Sequence, residues 1–487
     1  MRSFYISVLS GLLTGLAFDS PALSFLAWFS LIPSFYVIKN SSRCRNFLNG
    51  FLFGFCYYAA GIFWVGNVSK LGLFFLVSYL GLYYALLFVL ISFFTGKRSG
   101  FVIIPALWVA IEFIKEKVWC GFSWGNLGYS QYTNTYLIQS ADLGGVKLIT
   151  FLIVLVNLSG WVIYSRIKNR EVRFAHIFKA VSIPLMVFLA SFGYSVYRLD
   201  NLDWSETSKV SVIQPNIEQE LKWQEAFISR IKSKLLQLSL KAEADSLLIF
   251  PEASWPEVLG INETEELKSF ARTLKRDMLI GSVIFEKGKF YNSAIMLDRE
   301  GEIRNVYRKI KLVPFGEYVP LREFLRFINV LNSVGDTTPG EALTLFSHKG
   351  SIFSVLICFE DIFPAHVRSF AKKSDFLINI TNDAWFKGEP EAGQHLGIMT
   401  LRAIENRIAI VRSANTGISG WVSFNGDTET LEREGKEVYV EGCRDFEIKI
   451  NEQRSFYNKY GEVFSYLCLL CTFLALAGRL KLRDRKR

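Results

Sequence analysis

The chain is 487 residues long, 51% of them hydrophobic and 15% aromatic, with a formal net charge of +10. That apolar content excludes an ordinary soluble enzyme, and its uneven distribution excludes a single uniform domain. The positive charge does not point to nucleic acid, because the basic residues gather where apolar runs end rather than along one face; the seven cysteines are an odd, scattered set whose one CxxC spacing, Cys468-Leu-Leu-Cys471, falls inside an apolar run, so neither a disulfide framework nor a zinc site is expected.

Residues 1–198 are nearly continuous apolar runs with short polar breaks. A span needs about 20 mostly apolar residues. On that measure spans are expected near 4–18, 22–38, 46–67, 71–94, 101–115, 145–164, 177–197 and 462–480. The first two read as a hairpin turning at Asp19, Ser20 and Pro21; with no small-residue cleavage site and more spans following at once, residues 1–18 read as a span rather than a signal peptide. Lys39, Arg43 and Arg45 follow the second span, Lys97 and Arg98 the fourth, and Arg166, Lys168, Arg170 and Arg173 the sixth. Arg479, Lys481, Arg483, Arg485, Lys486 and Arg487 follow the last. Cationic loops resist translocation, so this side is cytoplasmic, both termini are inside, and the long polar stretch lies outside. The loop after the fifth span, Trp119-Cys-Gly-Phe-Ser-Trp-Gly-Asn-Leu-Gly-Tyr129, lies on that outer side and reads either as an interfacial aromatic belt or as a wall of a lipid-facing site. Glu112, near the end of the fifth span, is a functional candidate because ionisable residues in membranes are costly.

From Val210 the pattern changes to alternating strands and helices: strands at 210–214, 246–250, 278–284, 292–298, 351–358, 375–381 and 409–413, and helices at 224–243, 263–276, 364–371 and 393–407. This predicts a layered α/β domain with polar residues at strand ends carrying the chemistry. Three such ends stand out: Glu252 after Leu-Leu-Ile-Phe-Pro, Lys309 after Tyr-Arg, and Cys358 after Phe-Ser-Val-Leu-Ile. Each alone has an ordinary structural explanation, as a helix cap, a solvated charge or a small core residue. Together they form a chemically complete set. A carboxylate can take the proton from a thiol, and a lysine ammonium with a backbone N–H can stabilise the oxyanion of acyl transfer. No GxSxG lies at a strand-to-helix nucleophile elbow (Gly121-Phe-Ser-Trp-Gly125 has the spacing but sits in the loop after the fifth span), no GxxxxGK[ST] or zinc-ligand pattern is present, and none of His176, His348, His366 and His395 lies in an obvious partner motif.

Pro251-Glu252, Tyr307-Arg308-Lys309 and Cys358-Phe359-Glu360 resemble the Glu–Lys–Cys motifs of the nitrilase, or carbon–nitrogen hydrolase, superfamily. Asn382-Asp-Ala-Trp-Phe386, Gln394-His395, Arg402-Ala-Ile-Glu-Asn406 and Arg412-Ser-Ala-Asn-Thr-Gly-Ile418 extend the resemblance in the same order. Leu312-Val-Pro-Phe-Gly-Glu-Tyr-Val-Pro320, the Gly121-Phe-Ser-Trp-Gly125 loop and the flanking spans are similar to the apolipoprotein N-acyltransferase family. The resemblance implies a membrane domain of about eight transmembrane helices joined to an α/β nitrilase-like αββα sandwich. The expected organisation is 1–198 with seven transmembrane helices, 205–456 as an extracytoplasmic catalytic domain, 462–480 as the last helix and 481–487 as a basic cytoplasmic tail. It implies that Cys358 takes a fatty acyl chain from a phospholipid as a thioester and passes it to the N-terminal amine of a diacylglyceryl-modified apolipoprotein.

By the same resemblance Glu252 is the general base and Lys309 the catalytic lysine, with Glu317 and Glu360 as accessory carboxylates. Phe359 stands where some relatives have Tyr, and Lys311 where some have His. Trp223, Trp124, Gly121, Phe315 and Tyr318 are expected to contact substrate, and apolar loops near 118–130 and 316–335 to keep water from the thioester. No cofactor and no metal are expected. The expected partners are the phospholipid donor, the apolipoprotein acceptor and the bilayer, with the chain a monomer in the bacterial inner membrane. The first rival is a membrane-tethered amidase acting on a small amide. The second is a non-enzymatic scaffold or transporter, which leaves the Glu252, Lys309 and Cys358 set unexplained.

Overall fold

The computed structural model describes residues 1–170, 174–260, 264–325 and 335–484. Arg173, the 326–334 part of the expected apolar loop and residues 485–487 of the basic tail lie outside the described residues. The chain divides into two units, Met1–Asn201 with Ser455–Arg487, and Leu202–Arg454.

The first unit is helical. Among the described residues, four segments are long and apolar enough to cross a membrane: Pro21–Asn40, Lys70–Ser92, Val146–Lys168 and Ala180–Asp200. The other expected spans correspond to helices Arg2–Asp19, Arg43–Gly61, Gly100–Lys117 and Val463–Asp484, which do not meet that measure. The reason in two of them is polarity: Gly100–Lys117 carries Glu112, Lys115, Glu116 and Lys117, and Arg43–Gly61 carries Arg43, Arg45, Asn46 and Asn49, while the last is counted as the shorter apolar helix Val463–Arg479. Small residues let these helices approach closely, as expected between helices in lipid. A Cβ on Gly15 would lie 2.6 Å from the Tyr57 carbonyl oxygen, and one on Gly54 would lie 2.9 Å from Tyr84 Cβ. The break between Pro21–Trp28 and Ile32–Asn40 is satisfied by Asn157, whose Nδ2 donates to the Ala27 carbonyl at 2.8 Å and whose Oδ1 accepts from Leu31 N–H at 2.9 Å. Backbone groups freed inside lipid need such side-chain partners.

The second unit is built on two sheets. In the first, β1 (Glu206–Gln214), β2 (Leu247–Ile249) and β4 (Met278–Glu286) run parallel. β3 (Val258–Gly260) also pairs with β4, and β5 (Lys289–Leu297) and β6 (Ile303–Arg308) extend that side as antiparallel neighbours. In the second, β7 (Leu345–His348), β8 (Ser351–Ile357), β9 (Phe376–Thr381), β10 (Ala409–Ala414), β11 (Gly420–Val422) and β12 (Thr428–Thr430) pair in sequence order, with β8, β9 and β10 parallel. β13 (Gly442–Ile450) returns to pair antiparallel with β1.

The two-residue period of the strands sorts side chains between layers. Val210, Val212, Leu247 and Ile249 share one core with Phe353, Val355, Ile357 and Ile378 of the other sheet. Ile213, Leu248, Phe250 and Ile280 instead pack with Ile231, Leu235, Leu267 and Ala271 of helices Glu225–Ser239 and Glu265–Leu274. Helices Pro364–Ala371 and Glu389–Asn406 pack Val367, Phe370, Met399 and Ala403 into the core of the second sheet. The unit is therefore an αββα sandwich.

Candidate active site

Glu252, Lys309 and Glu317 meet in one buried cluster. Glu252 lies just beyond β2, Lys309 at the end of β6, and Glu317 in the turn that follows. The Lys309 Nζ is 3.2 Å from Glu252 Oε1 and 3.0 Å from Glu317 Oε2, and the residue is only 1% exposed. Burial by itself would lower the lysine pKa, but the Glu252 and Glu317 carboxylates outweigh it and hold the ammonium above its ordinary range. Asn292 on β5 ties the pair together: its Nδ2 donates to Glu252 Oε1 at 2.7 Å and to Glu317 Oε1 at 2.9 Å. Glu252 Oε2 accepts the Asn382 N–H at 3.0 Å, and Glu317 Oε2 accepts the Val313 N–H at 2.7 Å. Both carboxylates are thus fixed and aimed by several donors.

Cys358 caps β8 and begins the 3₁₀ turn Cys358–Ile362 with φ +51°, the left-handed region that a non-glycine residue adopts only under constraint. The turn swings the half-buried side chain off the sheet. Burial, then the Glu252 carboxylate, push its thiol well above the ordinary value; Lys309 pulls the other way, and Thr381 contributes a side-chain hydrogen bond. β8 and β9 are in parallel register through Ile357↔Ile380, which places Thr381 beside Cys358. Asn379 Nδ2 donates to the Cys358 carbonyl at 3.1 Å.

Glu360 is completely buried and works on the backbone. Its Oε1 accepts the N–H groups of Ile310 at 2.8 Å and Lys311 at 2.9 Å, and its Oε2 accepts the Ile357 N–H at 2.8 Å. Tyr307 Oη donates to the same carboxylate, and His366 Nε2 lies 3.2 Å from Oε1. One carboxylate therefore clamps the residues after Lys309 to the residue before Cys358. Burial would raise its pKa, yet His366 and the N–H groups of Ile357 and Lys311 hold it below the ordinary glutamate range.

A second buried charge cluster lies behind this site. Asp361 Oδ1 is 2.8 Å from His395 Nε2; Arg412 Nη2 is 2.8 Å from His395 Nδ1 and 2.9 Å from Asp383 Oδ2; and Thr381 Oγ1 donates to Asp383 Oδ1 at 2.7 Å. Among the described residues, Asp383, Glu391 and His395 bring ligand atoms close enough to hold a cation. The Arg412 guanidinium already sits among them, so the cluster's positive centre is a side chain.

The remaining expected site residues are dispersed. Phe359 is half-buried and packs edge-on to Phe363 with centroids 5.2 Å apart. Trp223 and Phe315 are each 44% exposed, and the Phe315 N–H donates to the Tyr318 carbonyl at 2.7 Å. Lys311 is exposed, with its Nζ 5.9 Å from the Phe363 ring. Gly121 and Trp124 belong to the first unit, where Trp124 is buried against Trp64 at 5.1 Å between centroids. Glu112, flagged for its place in a span, is a loop anchor there: Oε1 accepts the Leu127 N–H and Oε2 the Thr150 hydroxyl, both at 2.9 Å.

Sequence reading missed Asn292, Thr381 and Lys222. Lys222 looked like one charge in a polar stretch. It is 2% exposed, its Nζ donates to the Glu252 carbonyl at 3.1 Å, and burial lowers its pKa to about 8 against the pull of Glu252. Its signal was position, next to Trp223 in a segment already singled out.

Residues 10–159 match the apolipoprotein N-acyltransferase N-terminal domain, and residues 209–442 match the carbon-nitrogen hydrolase family. An apolipoprotein N-acyltransferase from Geobacter metallireducens is 36% identical, with 99% of this chain and 96% of that protein covered. One from Haemophilus influenzae is 29% identical over the same shares of the two chains. Among solved structures, an amidase from Nesterenkonia sp. aligns with a TM-score of 0.39 and 17% identity, covering 53% of this chain and 95% of that one. Across nearly its full length, the chain belongs to the apolipoprotein N-acyltransferase family.

Proposed function

We propose that the chain transfers a fatty acyl group from a phospholipid, through a thioester on Cys358, to the N-terminal amine of a diacylglyceryl-modified apolipoprotein. The observation that carries this reading is the buried Glu252–Lys309–Glu317 cluster, electrostatically coupled to Cys358 in a chain whose relatives over nearly their whole length bear that name.

In the first half-reaction Glu252 accepts the Cys358 proton as sulfur attacks the donor's ester carbonyl. Because the resting group is a thiol with a raised pKa, proton removal and attack belong to one step. The Lys309 ammonium and the backbone N–H of Phe359 stabilise the developing oxyanion. Collapse expels the lysophospholipid alkoxide, which takes a proton from Glu252, leaving the acyl group on sulfur. In the second half-reaction the neutral amine of the acceptor attacks the thioester, Glu252 takes a proton from the nitrogen, and the Cys358 thiol is regenerated as the amide forms. Glu317, Asn292 and Glu360 position these groups without exchanging protons.

The reading places all eight helices across the inner membrane, with both termini cytoplasmic, the catalytic domain on the periplasmic side and the enzyme acting as a monomer. Anchoring both substrates in the same bilayer replaces a bimolecular search with local encounter. Trp223, Phe315 and Tyr318 of the second unit are assigned to substrate contact, as are Trp124 and Gly121 of the first.

The test is transfer of a labelled acyl chain from phosphatidylethanolamine to a synthetic diacylated lipopeptide in detergent micelles. The wild type is expected to label the peptide amine, whereas Cys358→Ser and Lys309→Met lower the rate at least a hundredfold. Failure to label the peptide, together with release of ammonia from small amides, would replace this reading with an amidase.

A further inference from the structure

The first unit contains a cavity of about 460 Å³ that the acyl-transfer reading does not use. It is formed where several helices end. Lys39 and Asn40 close the helix Ile32–Asn40, Phe94 to Arg98 follow the helix Lys70–Ser92, and Leu158 to Asn169 supply the last turns of Val146–Lys168. Its volume is within the range of about 300–1,000 Å³ typical of small-ligand sites.

The lining is divided by chemistry. Trp161 and Phe94, 5% and 4% exposed, form an apolar floor. Five cations surround it: Lys39, Lys97, Arg98, Arg166 and Lys168; among the described residues no carboxylate lines it. Lys168 is tethered, its Nζ donating to Tyr36 Oη at 3.0 Å and lying 4.3 Å from that ring's centroid. Gly96 keeps room for Lys39: its φ is +83°, and a Cβ there would lie 3.0 Å from the Lys39 Nζ. Arg479 adds charge at the edge, 5.7 Å over the Phe94 ring. Burial, and then Arg479, hold the Lys97 pKa below its ordinary value.

Lys147 is paired with Glu116 at 2.7 Å and Glu462 at 3.2 Å. A bias toward cations in loops on one side of a membrane explains why lysines and arginines are present. It does not explain why they ring a hollow with an aromatic floor. We propose that this cavity binds the headgroup of an anionic phospholipid, with the phosphate among the cations and the acyl chains continuing along the helices. A cation-lined, aromatic-floored hollow at the ends of spanning helices matches a phosphate diester attached to apolar chains better than it matches a free anion, which has nothing to place on the floor. The bound lipid is a tightly held structural or regulatory ligand, separate from the acyl donor. The proposal rests on the membrane reading of the first unit and not on the chemistry of Cys358.

The test is native mass spectrometry of the full chain released from micelles with diether phosphatidylglycerol, diether phosphatidylcholine or inorganic phosphate. Diether lipids have no ester to transfer, so retention is read apart from turnover. Phosphatidylglycerol is expected to be retained over phosphatidylcholine, and millimolar phosphate is expected not to displace it. Lys39→Gln with Arg98→Gln should weaken retention about 25-fold, taking about fivefold per charge near a lipid phosphate. Ser165→Phe, which fills the cavity and keeps every charge, should weaken it as well. Arg43→Gln with Arg45→Gln removes two cations that do not line the cavity and should leave retention within about twofold. Equal retention of both lipids, displacement by phosphate, an equal loss in the Arg43 and Arg45 double variant, or no effect of Ser165→Phe would each overturn the proposal. None of these outcomes depends on whether Cys358 forms a thioester.

Discussion

Glu360→Gln removes the charge from the clamp between the lysine and cysteine segments while keeping its shape. The carboxylate serves the N–H groups of Ile310, Lys311 and Ile357, the Tyr307 hydroxyl and His366 through two oxygens. A glutamine has one acceptor oxygen, and its NH₂ faces donors at the other. In the least costly arrangement the oxygen keeps the Oε1 partners and the NH₂ meets the Ile357 N–H. That loses the Ile357 bond, weakens the Tyr307 bond and leaves a buried donor against a donor. At about 1.5–3 kcal/mol for a hydrogen bond to a charged group, the loss is about 3 kcal/mol or more. For a domain of this size that corresponds to a melting shift of about 6–12 °C.

The effect also has a pH signature. The native Glu360 pKa is depressed, so the unfolded state binds the proton more tightly. Its contribution is complete above the unfolded value of about 4.3 and is lost as pH falls through the lower native value. The gap between wild type and Glu360→Gln should therefore be constant near neutrality and narrow below about pH 4. Intrinsic tryptophan fluorescence of the full chain in detergent, followed on heating at several pH values, reads both quantities. Acyl transfer at a permissive temperature should fall mainly in kcat, because Lys309 and Cys358 lose their relative positions. A Glu360→Gln protein that melts within 1–2 °C of wild type (under 1 kcal/mol for a domain of this size) and transfers at the wild-type rate would refute the clamp.

Two further outcomes follow from the site. Cys358 rests as a thiol, so iodoacetamide should alkylate it more slowly than free cysteine at pH 8, with a rate still rising through about pH 9–10; Lys309→Met should slow it further by removing the cation that favours the thiolate. A rate that levels off below about pH 8 would contradict this assignment. Arg412→Met leaves Asp383, Asp361 and Glu391 without their central cation in a fully buried cluster, and should cost about 3–5 kcal/mol in thermal or denaturant unfolding; an unchanged transition would show that the cluster is not held by charge.

How much of this was legible in the sequence depended on how local each signal was. Glu252, Lys309 and Cys358 were legible because each closes a short β-rich run and the three occur in a recognisable order. Asn292 was not, because a single Asn in a strand carries no pattern; only the β5–β6 pairing, with Lys309 N–H donating to the Asn292 carbonyl at 2.8 Å, puts it between the two glutamates. His395 entered only through the Gln394-His395 resemblance and in no obvious partner motif, because its partners Asp361 and Arg412 come from a turn and a strand 34 and 17 residues away. β13 was missed because Arg444, Asp445, Glu447 and Lys449 mask its alternation, and its pairing with β1 spans more than 200 residues of sequence. In the first unit hydropathy located the helices. Of the eight expected spans, four meet the length and apolarity of a span among the described residues; the charges and asparagines inside helices such as Gly100–Lys117 and Arg43–Gly61 keep those below it, and their partners, such as the Ile38 carbonyl that accepts from Asn46, come only from the fold.

The central claim is the acyl-cysteine, and intact-protein mass spectrometry after incubation with phospholipid tests it most directly. The wild type is expected to gain the mass of one fatty acyl chain, lose it to hydroxylamine, and discharge it onto a diacylated lipopeptide, while Cys358→Ala gains nothing. An unmodified wild-type protein with every phospholipid offered, or the same adduct on Cys358→Ala, would contradict the account.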